Sequence, residues 1–266
     1  MSKLKFPVLF ISHGGGPWPY IDSERKQYAK TIDELSRIPD SLPEKPKAIL
    51  VVTGHWEEKT FTVSTSQSPP MVYDYHGFPE HTYHIQYKAL GSTEVAMRVI
   101  ELLNQSHIEI ASDSERGFDH GTFVPLVLMY PNADIPVVML SIKSSYDPQQ
   151  HIKAGEAIQA LREEGVLIIG SGLTYHNMRG FGQPGSMQLS EVFESYLNDA
   201  ISHSNPEERI RRLIHWETAP GARLVHPRED HLIPLMVAAG AAGNDKGYRL
   251  FVDRIMNVAM GSYRFG

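Results

Sequence analysis

Cysteine is absent from the 266-residue sequence. This removes disulfides, thiolate metal sites and a cysteine nucleophile together, so any metal has to be held by His, Asp or Glu. Such donors suit Fe²⁺ or Zn²⁺ better than copper(I) or an iron–sulfur cluster. No apolar run approaches the length of a membrane span, and glycines and a proline cut short the first apolar stretch where a signal peptide needs a longer core. A soluble, cytoplasmic protein is expected. Lysine and arginine form no block and total 25 against 31 acidic residues. That balance argues against nucleic acid and anionic membrane surfaces as partners. No HExxH pair occurs. The run Gly14-Gly15-Gly16 lacks both the lysine of a P-loop and the later glycine of a dinucleotide fingerprint, which sets nucleotide binding aside. No linker, repeat or low-complexity segment divides the chain, so residues 1–266 are expected to form one domain with a substantial core.

Histidine, by contrast, is abundant, with thirteen copies. Three of them follow apolar runs: FPVLFISHGGGP delivers His13, KAILVVTGHW delivers His55, and LIIGSGLTYH delivers His176. A short apolar run stopped by glycine reads as a buried strand ending in a tight turn. In an open α/β sheet the carboxyl end of a strand is where ligands bind. An imidazole fixed there beside a cavity serves as a metal ligand or as a general acid/base. Any one of these histidines could equally be a capping or core residue bonded to backbone. Several in one chain weigh against that simpler reading.

The remaining pattern alternates helices and strands. Helical spacing covers 23–37 with Ser23 as its cap, 94–104, 148–163, 189–203 and 207–216. Strand patterns cover 48–53, 61–65, 108–111, 135–142 and 166–170. Asp119-His120-Gly121 reads as a turn entering a helix, and an apolar helix starting near Asp230 places His231 in its first turn. Residues 68–87 have no clean period and hold His76, His81 and His84 among aromatics, which reads as a long ordered loop and a pocket candidate. The alternation predicts an α/β fold with a central, mainly parallel or mixed sheet flanked by helices on both faces. Trp56 and Glu57 are either site-lining or packing. Asn177 and Arg179 either orient His176, meet a substrate carboxylate or serve a structural role at a helix start. His107, His151, His203 and His215 fall on expected surfaces.

Five segments, SHGGGP, GHWE, GFDHGTFVPL, GSGLTYHNMR and HPREDHLIPL, stand in this order along most of the chain. Together they resemble the motifs of the class III extradiol ring-cleavage dioxygenases (the protocatechuate 4,5-dioxygenase beta-subunit-like superfamily), within it the 4,5-DOPA extradiol dioxygenase-like branch. The resemblance implies a non-haem Fe²⁺ held by His13, His55 and His231, the last standing where the protocatechuate branch has a glutamate. A three-histidine site also suits Zn²⁺. The resemblance further implies that His176 is the acid/base beside the metal, close enough in some members to be a fourth ligand, and that His120 is a pocket histidine near the substrate. The implied substrates are a catechol and O₂, with the ring opened next to the diol. A zinc-dependent hydrolase built on the same histidines, with a metal-activated water, is the alternative.

Overall fold

A computed structural model describes residues 4–266. The apolar runs become β1 (Val8–Ser12), β2 (Ala48–Glu58), β3 (Phe61–Ser64), β4 (Ile110–Asp113), β5 (Val137–Lys143) and β6 (Val166–Gly172). A C-terminal hairpin adds β7 (Gly247–Ile255) and β8 (Val258–Phe265). All pair into one eight-stranded sheet in the order β4-β3-β5-β2-β6-β1-β8-β7. The centre is parallel, β5-β2-β6-β1, and its strands are buried throughout their apolar stretches. That explains why they read as continuous Val/Ile/Leu runs instead of alternating ones. β8 joins β1 antiparallel, so the sheet is mixed, as the alternation predicts.

Between the strands lie α1 (Asp22–Gln27), α2 (Ala29–Arg37), α3 (Thr93–Gln105), α4 (His120–Met129) and α5 (Pro148–Ala157). They are followed by α6 (Ser186–Ile201), α7 (Pro206–Ile214), α8 (Ala222–Val225) and α9 (Ile233–Ala242). Adjacent residues of β6 show that both faces are covered. A Cβ on Gly170 would stand 2.4 Å from the Pro234 carbonyl oxygen of α9, whereas the hydroxyl of Ser171 donates to the Gly121 carbonyl of α4. Successive side chains on a strand point to opposite faces, so α9 and α4 lie on opposite sides. Every residue of α9 is buried, because α5 covers the side turned away from the sheet.

Several expectations need correction. The helix over 23–37 is broken at Tyr28, whose ring stacks on Trp18 with centroids 4.0 Å apart; Ser23 lies inside α1 and Ile21 holds the cap position. The helix over 148–163 tightens after Ala157 into a 3₁₀ turn over Gln159–Glu163. The C-terminal hairpin carries no clear strand pattern in the sequence, because Arg249, Asp253, Arg254 and Arg264 interrupt its apolar runs. Its turn is Met256-Asn257, both with positive φ (49° and 60°), the geometry of a two-residue hairpin loop.

His151 is buried and not on the surface. Its Nδ1 donates to the Asp147 carbonyl at 2.7 Å, and its Nε2 accepts from the Lys143 amide at 2.9 Å, so it ties the start of α5 to the end of β5. Burial lowers its pKa from 6.5 to about 4. The folded chain therefore refuses a proton that the unfolded chain accepts between those values. Stability is intact above about 6.5 and falls as pH drops toward 4, by roughly 3 kcal/mol at 1.36 kcal/mol per unit. Urea unfolding at pH 7 and at pH 4.5 checks this: His151→Gln should lose markedly less stability between the two than the unaltered chain.

Candidate active site

His13 lies one residue beyond β1. Its amide donates to the Gly172 carbonyl at the end of β6, and its carbonyl accepts from Trp18 Nε1 at 2.8 Å. His55, expected at a strand end, instead lies within β2. That strand loses register with β5 after Val52 and regains it at Glu57, leaving His55 in the irregular stretch. Such bulges recur beside active sites because they re-aim a side chain.

One buried carboxylate, Asp119, fixes the next positions. As the cap of α4 it accepts from the Thr122 amide at 3.0 Å, receives the Thr53 hydroxyl at 3.1 Å and pairs with Arg116 at 2.6 Å. Thr53 Oγ1 in turn accepts from the His55 amide, and Arg116 donates to the His55 carbonyl. Burial pushes the Asp119 carboxyl up in pKa, and the Arg116 charge opposes that. His120 is the first residue of α4. Gly121 lets the helix approach, since a Cβ there would stand 2.6 Å from Thr53 Oγ1 and 2.9 Å from His55 Cδ2.

His176 lies four residues past β6, with its amide on the Val225 carbonyl. His231 precedes α9 and is not in its first turn. A helix starting at Asp230 would need an amide proton from Pro234, which has none, so the helix begins at Ile233 with the proline in its first turn.

The five rings line one cavity. Centroids are 5.0 Å apart for His13–His55, 4.0 Å for His55–His120, 4.6 Å for His55–His231 and 3.5 Å for His176–His231. Their Nδ1 atoms face oxygens. His13 Nδ1 donates to the Gly14 carbonyl at 2.7 Å. Asp74 receives His120 Nδ1 at 2.8 Å and lies 3.1 Å from His55 Nδ1. Asp230 lies 3.2 Å from His176 Nδ1 and 3.0 Å from His231 Nδ1, the second contact too poorly angled for a hydrogen bond. With an oxygen on the Nδ1 side of each ring, Nε2 is the nitrogen left for a metal.

Donor atoms of His13, His55 and His120 lie within 4.8 Å of one another, and so do those of His176, Asp230 and His231. The two groups meet where His55 Nε2 and His231 Nε2 are 3.0 Å apart, while His13 Nε2 is buried with no partner. Two such nitrogens share either a proton or a cation. Nitrogens each about 2.1 Å from one ion sit roughly 3 Å apart, so the donor set fits a divalent metal. Burial, then the neighbouring imidazoles, lower the pKa of His13 and His55 well below 6.5. Burial lowers His231 to about 4 against the opposing pull of Asp230. Ligating histidines must be neutral, and these are. Burial alone would raise the Asp230 carboxyl, but the adjacent His176 and His231 hold it well below the usual range.

Asp74 has no signal in the sequence, since it lies in the aperiodic loop. Asp230 was legible only as a neighbour of His231. Of the loop histidines, His76 lines the cavity, whereas His81 donates to the Tyr20 carbonyl and His84 pairs with Glu80. Asn177 bonds to the Leu224 carbonyl and the Arg179 amide, and neither it nor Arg179 lines the cavity. Trp56 is packing, buried beneath the Arg116 guanidinium, and Glu57 pairs with Arg228. No helix among the described residues is long and apolar enough to cross a membrane.

Comparison with known proteins gives the family. Residues 7–261 match the family model described as the catalytic LigB subunit of aromatic ring-opening dioxygenase. A 4,5-DOPA dioxygenase extradiol of Beta vulgaris is 39% identical over 97% of this chain and 96% of its own length. The Escherichia coli K12 protein of the same name is 35% identical over 91% and 87%. Dioxygenase tasH of Hapsidospora irregularis is 34% identical over 98% and 85%. The crystal structure of an uncharacterized protein from Escherichia coli K12 superposes with a TM-score of 0.79 at 30% identity, covering 98% of this chain and 100% of that one. The chain therefore belongs to the LigB family of aromatic ring-opening dioxygenases, and is an extradiol ring-cleaving enzyme.

Proposed function

We propose that residues 1–266 act as one catalytic domain that opens a catechol with O₂ next to the diol, on an Fe²⁺ held by His13, His55 and His231. The observation that carries this is the meeting of His55 Nε2 and His231 Nε2 at 3.0 Å beside the unpartnered, buried His13 Nε2. When bound, a redox-active divalent ion lowers the pKa of the catechol hydroxyls and activates O₂. Zn²⁺ fits the same nitrogens but has no redox chemistry to offer. His176 is hydrogen-bonded to Asp230 through Nδ1, so its Nε2 is placed to take a hydroxyl proton and return it after ring opening. His120, held by Asp74, offers Nε2 to the second hydroxyl and sets the ring's orientation. The cavity, about 670 Å³ and largely apolar, admits a substituted single ring and limits water around it. The hydrolase alternative lacks support, since the relatives named above are dioxygenases.

Anaerobic loading with Fe²⁺, followed by catechol and then air, should give O₂ uptake and a yellow ring-opened product. The Zn²⁺-loaded chain should show neither. Turnover with Zn²⁺ alone and without O₂ would instead favour the hydrolase.

Elemental analysis separates the roles of the histidines. His13→Ala, His55→Ala and His231→Ala should lose the metal. His120→Ala and His176→Ala should keep it while turnover falls about 10²-fold or more. Metal retained by His231→Ala and lost by His120→Ala would make His120 the third ligand. Asp74→Asn, which disturbs the Nδ1 side of two rings at once, should weaken metal affinity by about 10- to 100-fold.

A further inference from the structure

Resting on the catechol reading above, we infer that the site selects catechols whose side chain ends in a cationic amine and discriminates against those ending in a carboxylate. Away from the histidines the cavity wall is mostly apolar, with Phe78, Met178, Phe181, Met256 and Met260 in it and Gln27 and Glu24 as its polar members. No lysine or arginine lines it among the described residues, and Glu24 is its one acidic side chain.

Glu24 belongs to α1 and lies four residues before Tyr28, so the two share a side of the chain. Tyr28 faces the segment after His13, where its hydroxyl accepts from the Gly15 amide at 3.4 Å. Its ring stacks on Trp18, which itself holds the His13 carbonyl. Glu24 thereby lines the cavity near the segment that follows His13. Among the described residues its carboxylate forms no ion pair or side-chain hydrogen bond, and burial pushes its pKa up, as befits an anion in a partly apolar wall.

Of the guanidinium groups on the flanking segments, that of Arg179 lies outside the cavity lining. Arg25 donates to the Pro19 carbonyl, Arg116 holds Asp119, and Arg228 holds Glu57 and Tyr146. A substrate carboxylate entering this cavity would shed water and meet Glu24 with no fixed cation to receive it. An ammonium group would supply the charge that Glu24 lacks. The flexible methionines at the wall accept an alkyl linker of varied length.

Three probes share the ring and differ in charge: dopamine (cationic), 4-ethylcatechol (neutral) and 3-(3,4-dihydroxyphenyl)propionate (anionic). Their affinities for the Zn²⁺-loaded chain, measured by calorimetry, should fall in that order, with dopamine binding about fivefold or more tighter than the propionate at low salt. Fe²⁺-dependent kcat/KM should follow the same order. Glu24→Gln should shrink the dopamine-to-propionate ratio, and Glu24→Lys should invert it. Equal affinity for the three probes, a preference for the propionate, or a ratio unmoved in both variants would overturn the inference while leaving the ring-opening reading intact. Failure of every catechol to bind or react would instead defeat the ring-opening reading, and this inference with it.

Discussion

The arrangement depends on oxygens that face the Nδ1 atoms of five imidazoles. A backbone carbonyl serves His13, Asp74 serves His55 and His120, and Asp230 serves His176 and His231. These oxygens lie on the Nδ1 side of the rings and leave the other nitrogens turned to the cavity. Imidazole ligands, which bind a metal in their neutral form, would alone give no charge to oppose a dication. The two aspartates supply that charge from behind the rings, one bond further out than in a site where a carboxylate ligates directly. Two carboxylates against one divalent ion also keep the site close to neutral in a poorly solvated setting, where an unbalanced charge is expensive.

Topology delivers the donors. β6 lies between β2 and β1, so the carboxyl ends of three parallel neighbours open on one side, and the segments after β1 and β6 start there together. The α4 N-terminus reaches the same place from one face of the sheet and the turn before α9 from the other. Asp119 links the two nearest pieces, since it caps α4 and holds Thr53 of β2 at once. The hairpin of β7 and β8 extends the sheet past β1 and brings Met256 and Met260 to the cavity wall, so a single framework positions both the histidines and the apolar surround.

What could be read in the sequence follows from how local each signal is. β1, β2, β5 and β6 are buried on both faces, so their composition announces them, and the histidines that follow could be located by position alone. His55 was misplaced by part of a strand, because a bulge is a pairing event with β5 and leaves no composition signature. His231 was misplaced by a few residues because the apolar pattern of α9 extends back past the point where Pro234 allows the helix to start. Asp74 was invisible, because its role depends on a loop folding back over rings that are distant in sequence. His151 looks like any exposed helical histidine until the approach of Lys143 buries it. The C-terminal hairpin was hidden by charges that are tolerated near a sheet edge.

On the reading proposed above, a metal is held by Nε2 atoms while oxygens face Nδ1. The most direct measurement is an anomalous difference map at the iron edge from crystals loaded anaerobically with Fe²⁺. The account predicts one peak about 2.0–2.2 Å from Nε2 of His13, His55 and His231, with Asp74 and Asp230 still on the Nδ1 side of their rings. A peak bonded to either aspartate, or one centred on His176, Asp230 and His231 away from His13, would contradict it.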